Sequence, residues 1–394
     1  MQIAITGDFH LGFNDDALPQ AKNALKACSG ADVILAAGDI FDSRIPRQET
    51  LNEALQLFAG AALDMNSPAL MFELAADGAE KPVSNYPPIL AIHGTHERRS
   101  KGLANPIHLL DSALAAVNLH GRAVCVENSS GKRTCFQAMG GVPEEFARQA
   151  LKKMDFKPVP GAFNVFVFHQ SLEEAMPFGE AIGAEDLPEG FDLYVDGHIH
   201  WMCEVKAGGK RIIIPGSTVV TQMRKNEMRP KSIVLFDTET GKYELKQFQT
   251  RPFVFCELAF EKPVAGADVS IAAEKALDEI ASKEYSQVPV VKLQLCGKLS
   301  SGMLSKDLDL SVLQKKYSQS MKLHIGRDFI SEEYENGANE LRQARQDAKN
   351  VRELSVMLFL DALKKREITM AHSEAEELLD ALCDEDVAKA AQHI

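Results

Sequence analysis

The sequence has no run of apolar residues that approaches the roughly 18 that a membrane-spanning helix requires. Its first residues, MQIAITGDFHLG, lack the basic segment followed by an apolar segment that marks a secretory signal. The absence of both features predicts a soluble, cytoplasmic protein that does not bind a membrane.

Cysteine is present, but not in the pattern of a metal site or of a disulfide-stabilised domain. The seven cysteines are scattered, odd in number and never spaced as C-x-x-C. This spacing argues against a disulfide framework and against a thiolate zinc site. We therefore expect buried, reduced thiols. The seven residues are Cys28, Cys125, Cys135, Cys203, Cys256, Cys296 and Cys383.

An excess of basic residues is also missing. The 43 lysines and arginines against 56 aspartates and glutamates give a net charge of −13. Proteins that only coat nucleic acid usually have a basic surface, so this charge disfavours that class. It does not exclude an enzyme that acts on nucleic acid, because a local basic patch and bound divalent metals can together hold a phosphate backbone.

Short apolar segments alternate with helical patterns through the first half of the chain. The strand-like segments are 3–6, 33–38, 89–92, 163–170 and 192–200. Such alternation indicates βαβ units around a largely parallel sheet. Segments 203–216 and 232–248 are instead typical of antiparallel hairpins. We predict an α/β fold in which a mixed β-sandwich is flanked by helices.

The length of 394 residues and a change of composition after 251–253 predict more than one domain. Residues 1–250 are expected to form the main domain, 251–330 a small βαβαβ domain, and 331–394 a charged helical tail. The tail has only part of an apolar stripe, so it either docks on the body or offers a surface to a partner. The segment 64–88 has the pattern of an inserted surface hairpin, with no purpose evident from its residues.

Five loops place potential metal ligands directly after apolar strands. They are GDFH (7–10), GDIFD (38–42), GTHE (94–97), FHQ (168–170) and GHIH (197–200). Each loop alone is a weak signal, because Gly-Asp is a common turn and a histidine at a strand end is usually structural. Because ligands gather at the carboxyl ends of strands in open α/β sheets, the five loops together predict a metal site.

The residue types suit a centre of two divalent metals. Two ions about 3.5–4 Å apart repel each other and need a shared carboxylate between them, for which Asp39 is the candidate. Asp8 adds negative charge, and neutral imidazoles fill the remaining positions. A mixture of histidine and carboxylate ligands favours manganese, iron, zinc or cobalt over calcium or magnesium.

In this order the loops resemble the signature of the calcineurin-like metallophosphoesterases, which is G-D-x-H, G-D-x-x-D, G-N-H-[DE], a lone His and G-H-x-H. The segments GDFHLG, GDIFDSRIPRQETLNEAL, GTHERRSKGLANPIHLLDSA, GHIH and PGST resemble the Mre-eleven/SbcD-type DNA repair nucleases, with archaeal-like loops. RPFVFCEL and VPVVKLQLCG resemble the capping domain of those nucleases, so 251–330 is expected to be a DNA-binding capping domain.

The resemblance implies two Mn²⁺ ions per chain. The ligands of the first would be Asp8, His10, Asp39 and His200. The ligands of the second would be Asp39, His169, His198 and the asparagine of G-N-H, where this sequence has Thr95. A threonine hydroxyl is a poorer ligand than an amide oxygen, so the second metal is expected to bind more weakly.

The resemblance also implies a catalytic role for His96, which would stabilise the transition state and help the leaving oxygen depart. Glu97 occupies the position at which an aspartate often orients that histidine, and an equivalent hydrogen bond is one expectation. The alternative is an exposed salt bridge from Glu97 to Arg98 or Arg99.

A DNA substrate requires basic side chains near the metals. The candidates are Arg44, Arg47, Arg98, Arg99, Lys101, Arg224 and Lys225. Surface salt bridges explain any one of them equally well. The resemblance further implies a homodimer formed through helices near 47–63 and 102–117, and an SMC-like repair ATPase bound by 331–394.

The leading hypothesis is a Mn²⁺-dependent exonuclease or endonuclease of double-strand-break repair, which hydrolyses phosphodiester bonds with a two-metal-activated hydroxide. Two alternatives remain open. One is a phosphoesterase that acts on small molecules with the same metal core, which the capping domain and the tail disfavour. The other is a nuclease-like scaffold in which Thr95 has weakened catalysis.

Overall fold

The computed structural model describes residues 1–63, 65, 70–75, 79–83, 88–100, 102–128, 130–176, 180–300, 303–330, 351–364, 368 and 370–383. Lys101 and parts of 64–88 and 331–394 lie outside the described residues. The chain forms two compact units, residues 1–254 and 255–394. No described helix has the length and apolar composition needed to cross a membrane.

The first unit contains two β-sheets and the helices that pack on them. Its strands are β1 (Gln2–Thr6), β2 (Val33–Ala36), β3 (Leu70–Leu74), β4 (Glu80–Pro82), β5 (Ile89–Ala91), β6 (Val117–Asn118), β7 (Ala123–Glu127), β8 (Arg133–Met139), β9 (Phe163–Phe168), β10 (Leu193–Asp196), β11 (Cys203–Ala207), β12 (Lys210–Ile214), β13 (Ser232–Asp237) and β14 (Lys242–Gln247). Its α-helices are α1 (Ala17–Ala27), α2 (Gln48–Leu63), α3 (Pro106–Ser112) and α4 (Glu144–Met154). A short 3-10 helix spans Ala184–Asp186.

The two sheets are mixed, with parallel strands at their centres. The six-stranded sheet has the order β14-β13-β1-β2-β5-β6, and the eight-stranded sheet has the order β11-β12-β10-β9-β8-β7-β3-β4. β1, β2, β5 and β6 run parallel, as do β8, β9, β10 and β12. β2, which reads VILA, is apolar and buried throughout, as is typical of a parallel strand that is covered on both faces.

The inner faces of the two sheets pack against each other. Ile5 on β1 and Leu35 on β2 share one buried cluster with Phe136 on β8, Val165 on β9 and Val195 on β10. The apolar area removed from water between the sheets is what holds them together, at about 25 cal/mol for each Å². The first unit is therefore a β-sandwich.

Helices cover the outer faces of the sandwich. Ile34 on the six-stranded sheet lies in a cluster with Leu25 of α1 and Phe58 of α2. On the opposite side, Leu151 of α4 lies in a cluster with Phe166 of the eight-stranded sheet. The predicted mixed β-sandwich flanked by helices is confirmed.

The hairpins also follow the predicted pattern. β11 pairs with β12, and β13 pairs with β14, both antiparallel. Within the segment 64–88, β3 and β4 form an antiparallel hairpin that extends the eight-stranded sheet by pairing with β7. Arg133 on β8 binds Glu80 on β4 at 2.6 Å, which ties the hairpin to the sheet. The described part of the segment is thus an edge of the sandwich.

The expectation that the cysteines are all reduced thiols is wrong for one pair. Cys125 on β7 and Cys135 on β8 form a disulfide. They are directly opposite each other in the register of this antiparallel pair. Spacing alone does not reveal such a pair, because the strand register decides which residues face each other. Cys28, Cys203, Cys256 and Cys296 are free, and of these four Cys28 is buried whereas the others are partly exposed.

The second unit contains a three-stranded sheet and helices. The strands are β15 (Phe253–Val264), β16 (Val290–Leu299) and β17 (Lys322–Ile330), and the α-helices are α5 (Gly266–Ala281), α6 (Ser311–Lys316), α7 (Val351–Lys364) and α8 (His372–Cys383). A 3-10 turn spans Ser305–Asp307. The sheet order is β15-β16-β17, with β16 and β17 parallel. Leu378 on α8 packs against Phe359 on α7. A separate tail beginning at residue 331 remains a prediction.

We predict that Gly197→Ala destabilises the sandwich by about 1–3 kcal/mol, in the range of overpacked sites. A β-carbon at Gly197 would collide with the backbone carbonyl of Ala37 and lie 2.7 Å from Nδ1 of His169. Chemical denaturation measures the change in the free energy of unfolding. The control is Gly60→Ala in α2, where a β-carbon meets no atom within 4 Å. This control should raise stability by about 0.5–1 kcal/mol. Equal effects of the two substitutions would contradict the prediction.

Candidate metal centre

Loops from both sheets converge at one edge of the sandwich. The loops after β1, β2 and β5 come from the six-stranded sheet, and the loops after β9 and β10 come from the eight-stranded sheet. Asp8, His10, Asp39 and His169 are almost completely buried in these loops. The carboxyl ends of the parallel strands therefore bring together all five of the predicted loops.

Three of these residues have an unusual backbone conformation. Asp8, His10 and Asp39 have φ angles of 48°, 47° and 45°, in the left-handed region that non-glycine residues rarely adopt. Backbone hydrogen bonds hold this geometry: the N–H of Asp8 donates to Gly38 at 2.9 Å, and the N–H of His10 donates to Asp39 at 3.0 Å. The loops after β1 and β2 thus fix each other.

The first group of converging ligand atoms belongs to Asp8, His10 and His200, within 4.8 Å of one another. Nδ1 of His10 lies 3.0 Å from a carboxylate oxygen of Asp42. Nδ1 of His200 lies 2.6 Å from the hydroxyl of Thr221. Because these partners engage Nδ1, the two Nε2 atoms face each other at 3.3 Å. With Nδ1 engaged in this way, each histidine can offer Nε2 as one ligand to the same cation.

The second group consists of Asp39, His169 and His198, again within 4.8 Å. Nδ1 of His169 donates to the carbonyl oxygen of Ala37 at 2.9 Å, and its Nε2 lies 3.2 Å from Oδ2 of Asp39. The hydroxyl of Thr95 lies 3.4 Å from the same carboxylate oxygen. Thr95 therefore lies beside the second group, and its role as a ligand remains a prediction.

A third group links the two. His10, Asp39 and His96 also bring ligand atoms within 4.8 Å of one another. Oδ1 of Asp39 accepts the backbone N–H of His96 at 2.9 Å. Asp39 thus lies between His10 of the first group and the histidines of the second group, where a carboxylate shared by two metals is required.

Several buried polar atoms at this centre have no hydrogen-bond partner in the described part of the chain. They include both carboxylate oxygens of Asp8 and Nδ1 of His198. Burying such atoms unpaired costs about 1–3 kcal/mol each, and more for a charged group. A cation surrounded by these atoms removes that penalty. The residues present therefore fit a bound metal, and their nitrogen and oxygen atoms suit manganese, iron or zinc.

Burial and neighbouring charges shift the pKa values of residues at the centre. Burial raises the pKa of Asp8 well above its usual value. Burial disfavours the charged form of His169, but the carboxylates of Asp39 and Asp8 outweigh it and raise the pKa of this histidine to about 10. Burial lowers the pKa of His198 to about 3, assisted by His169. His198 is therefore a neutral ligand at pH 7, whereas His169 must lose a proton to bind a metal.

His96 lies at the open side of the centre. Its side chain is 46% exposed, and its Nδ1 lies 3.4 Å from a carboxylate oxygen of Asp42. Asp42 thus contacts both His96 and His10. The sequence pattern contains Asp42 as the last residue of GDIFD, but its position beside two histidines was not predicted.

The expectations for Glu97 are wrong. Its two carboxylate oxygens accept the backbone N–H groups of Phe41 at 2.7 Å and Gly94 at 2.8 Å. Glu97 is completely buried, so it forms neither the predicted hydrogen bond to His96 nor an exposed salt bridge. Burial, assisted by the charge of Asp39, raises the pKa of Glu97 to about 8. Its role is to connect the loop after β2 to the loop after β5.

The predicted basic residues are distributed unevenly around the centre. Arg224 lines the cavity formed by Asp39, His96 and His198. Arg44 and Arg98 line a separate groove that also includes His96. Arg99 instead donates to the carbonyl oxygen of Ala104 at 3.1 Å. Arg47 and Lys225 are exposed, and Lys101 lies outside the described residues. Among the described candidates, Arg44, Arg98 and Arg224 thus line depressions that also include His96.

Sequence reasoning missed the residues that support the ligands from behind. Glu227 lies 3.4 Å from Nδ1 of His200, and Lys231 donates to the carbonyl oxygen of His200 at 3.2 Å. Asp196 accepts the backbone N–H of His198 at 3.4 Å. Asp196 directly precedes GHIH, a position that signals a role, whereas Glu227 and Lys231 lie in a charged segment that resembles any solvated surface.

Comparison with known proteins places this geometry in a family. The model of the family described as calcineurin-like phosphoesterase matches residues 1–202. The chain belongs to the calcineurin-like phosphoesterases. Membership of this family and the ligand groups described above indicate a divalent-metal site.

Similar proteins include double-strand break repair proteins. The MRE11 protein of Encephalitozoon cuniculi is 26% identical over 288 residues, which cover 66% of this chain and 50% of that protein. Mre11 of Methanopyrus kandleri is 29% identical over 240 residues, covering 55% and 48%. The mre-11 protein of Caenorhabditis elegans is 28% identical over 319 residues, covering 68% and 44%. The chain spans about half the length of these curated relatives.

The solved structures that match this chain share less of its sequence. A structure described as an archaeal phosphodiesterase is 15% identical, with a TM-score of 0.31, and the match covers 63% of this chain and 100% of that one. A protein of Pyrococcus horikoshii is 10% identical, with a TM-score of 0.33, and the match covers 63% and 88%.

We predict that metal binding by this phosphoesterase releases protons and strengthens as the pH rises. In the metal-free protein, the raised pKa of His169 keeps its imidazole protonated at pH 7, and a metal displaces that proton. The affinity for Mn²⁺ should increase up to about tenfold for each pH unit between pH 6 and 8. Calorimetry in two buffers with different ionisation enthalpies measures the released protons. His169→Gln should lose part of this release, and a pH-independent affinity would contradict the prediction.

We predict that Thr95→Asn strengthens the second metal position of the phosphoesterase by about tenfold or more, because an amide oxygen is a better ligand than a hydroxyl. Competition titration with a chromogenic chelator measures both affinities. Thr95→Val, which removes the hydroxyl at nearly constant volume, is the matched control and should weaken the same position. If neither substitution changes either affinity, residue 95 is not a ligand.

Proposed function

We propose that this chain is a Mn²⁺-dependent DNA nuclease of double-strand-break repair, which acts as an exonuclease or endonuclease. The observation that carries the proposal is the convergence of Asp39, His10 and His96. It places a half-exposed histidine directly against the metal-ligand groups. The similarity to MRE11 proteins of several organisms supports DNA as the substrate.

The ligand assignment follows the three groups. Asp8, His10, Asp39 and His200 would hold one metal, and Asp39, His169, His198 and Thr95 the other. Bound divalent metals supply a hydroxide at neutral pH and offset the charge of the phosphoryl oxygens. The protein contributes the fixed geometry of these ligands, because most of them are buried in hydrogen-bonded loops.

His96 would protonate the departing 3′ oxygen. Its Nδ1 faces Asp42, both at the carboxylate and at the backbone carbonyl oxygen 3.3 Å away. These acceptors favour the tautomer with a proton on Nδ1, which leaves Nε2 as the nitrogen that can exchange a proton with the substrate. Protonated at Nε2, the imidazole acts as a general acid, a contribution worth about 10²–10⁴-fold in rate.

Arg224 and Arg98 would bind phosphates of the DNA, because each lines a depression that includes His96. Such contacts give affinity without sequence preference, which suits a nuclease that degrades broken ends. Arg44, Arg47, Arg99, Lys101 and Lys225 remain weaker candidates for DNA contacts.

The proposed partners are a second copy of the chain and a repair ATPase. Four leucines in these two segments are between 43% and 87% exposed: Leu63 on α2, and Leu103, Leu109 and Leu114 in and around α3. Such apolar exposure supports a homodimer through 47–63 and 102–117. The helices α7 and α8 support the proposal that 331–394 binds an SMC-like ATPase.

We predict that the purified protein releases nucleotides from linear DNA when Mn²⁺ is present. His96→Ala should reduce this rate about 10²–10⁴-fold while both metals remain bound, because it removes the proton donor rather than the ligands. Gel analysis of end-labelled DNA measures the rate, and mass spectrometry under native conditions counts the metals. His372→Ala, an exposed histidine at the start of α8, is the control and should leave the rate unchanged.

Each contrary outcome identifies a different error. Hydrolysis confined to small chromogenic esters would exclude DNA as the substrate. One metal or none per chain, without hydrolysis, would favour a scaffold. Full activity of His96→Ala with both metals bound would refute the role assigned to His96.

A further inference from the structure

One histidine of the centre is oriented by a loop that lies well beyond it in the sequence. Nδ1 of His200 lies 2.6 Å from the hydroxyl oxygen of Thr221, and this oxygen lies 3.0 Å from Oε1 of Glu227. The side chain of Glu227 is 1% exposed, so no solvent competes for its oxygens. These contacts form a continuous chain from a buried carboxylate to an imidazole.

The direction of the hydrogen bonds follows from what each group can donate. A carboxylate only accepts, so the hydroxyl of Thr221 donates to Glu227. The oxygen of that hydroxyl then accepts the N–H of His200 at Nδ1. A neutral imidazole that carries its proton on Nδ1 has its lone pair on Nε2. In His200 this Nε2 is the atom that faces His10 at 3.3 Å, within the first ligand group.

The carboxylate of Glu227 is itself held by backbone groups. It accepts the N–H of Thr221 at 2.5 Å and the N–H of Gln222 at 2.8 Å. The loop closes on itself because the N–H groups of Glu227 and Met228 both donate to the carbonyl oxygen of Arg224 at 3.0 Å. The acceptor that orients Thr221 is therefore fixed before any metal binds.

We propose that Glu227, acting through the hydroxyl of Thr221, is a positioning residue for the first metal. It holds His200 in the tautomer that leaves Nε2 free to bind the ion. The inference rests on the proposed function only in taking His200 as a metal ligand, and it requires no DNA.

The test measures the affinity of the full-length protein for Mn²⁺ by calorimetry. Thr221→Val removes one hydroxyl at nearly constant volume and should weaken the first site about 10–100-fold, as is usual for groups that orient a ligand. Thr221→Ser restores the hydroxyl and should return the affinity to within about threefold of the original. Glu227→Gln should weaken binding in the same range, because the amide replaces an acceptor that is charged.

A matched control separates orientation from general support. Asp237 also accepts a backbone N–H and a threonine hydroxyl, from Glu239 at 2.9 Å and Thr240 at 3.0 Å, at the far end of β13. Asp237→Asn should leave the affinity for Mn²⁺ unchanged. Thermal unfolding of each variant shows whether the fold is retained.

A measurement on the unaltered protein does not depend on any variant folding. Nitrogen-15 NMR of the metal-free protein should show His200 with a protonated Nδ1 and an unprotonated Nε2. The opposite tautomer would overturn the proposal, as would Thr221→Val and Glu227→Gln proteins that are folded and bind Mn²⁺ with unchanged affinity. A protein that showed the expected tautomer and affinities but did not cut DNA would contradict only the proposed nuclease function.

Discussion

The buried charge of Asp39 is the interaction on which the rest of the centre depends. A carboxylate that is only 1% exposed needs compensation, and it receives the N–H of His96, the hydroxyl of Thr95 and the imidazole of His169. Burial works against the ionised form, but His169 outweighs it and holds the pKa of Asp39 below its usual value. The same charge helps to raise the pKa values of His169 and Glu97. One ionised group thus sets the protonation state of its neighbours.

The β-sandwich explains how the charge of Asp39 is held at the junction of the two sheets. Asp39 follows a strand of one sheet, whereas His169 follows a strand of the other, so their contact bridges the two layers. Glycines at the junction allow the close approach. A β-carbon on Gly38 would collide with the ring of His169, and one on Gly94 would collide with the carboxylate of Asp39. The packing of the two sheets and the geometry of the ligands are therefore set by the same contacts.

The sequence predicts which loops meet, because each candidate ligand follows a strand whose apolar residues and polar end are local signals. The strand order then brings these loops together, because neighbouring parallel strands end at the same edge of the sheet. What it does not predict depends on distant contacts. Glu97 has the spacing of a partner for His96, yet the fold turns it inward to the backbone of Phe41 and Gly94. Cys125 and Cys135 form a disulfide because the strand register places them opposite each other. Glu227 contacts His200 although it lies 27 residues later in the chain, and the intervening sequence does not predict this contact.

The left-handed backbone of Asp8, His10 and Asp39 lowers the stability of the fold while it positions the candidate metal ligands. Glycine adopts such angles freely, whereas residues with a β-carbon hold them under strain of about 1–3 kcal/mol each. A search for thermostable variants in the absence of metal would therefore favour replacing these positions and would destroy the centre. The same strained backbone directs the candidate ligand atoms toward one point. The heat resistance of the empty protein and its capacity to hold metal are thus competing properties, and a stabilised variant should be judged with the ion present.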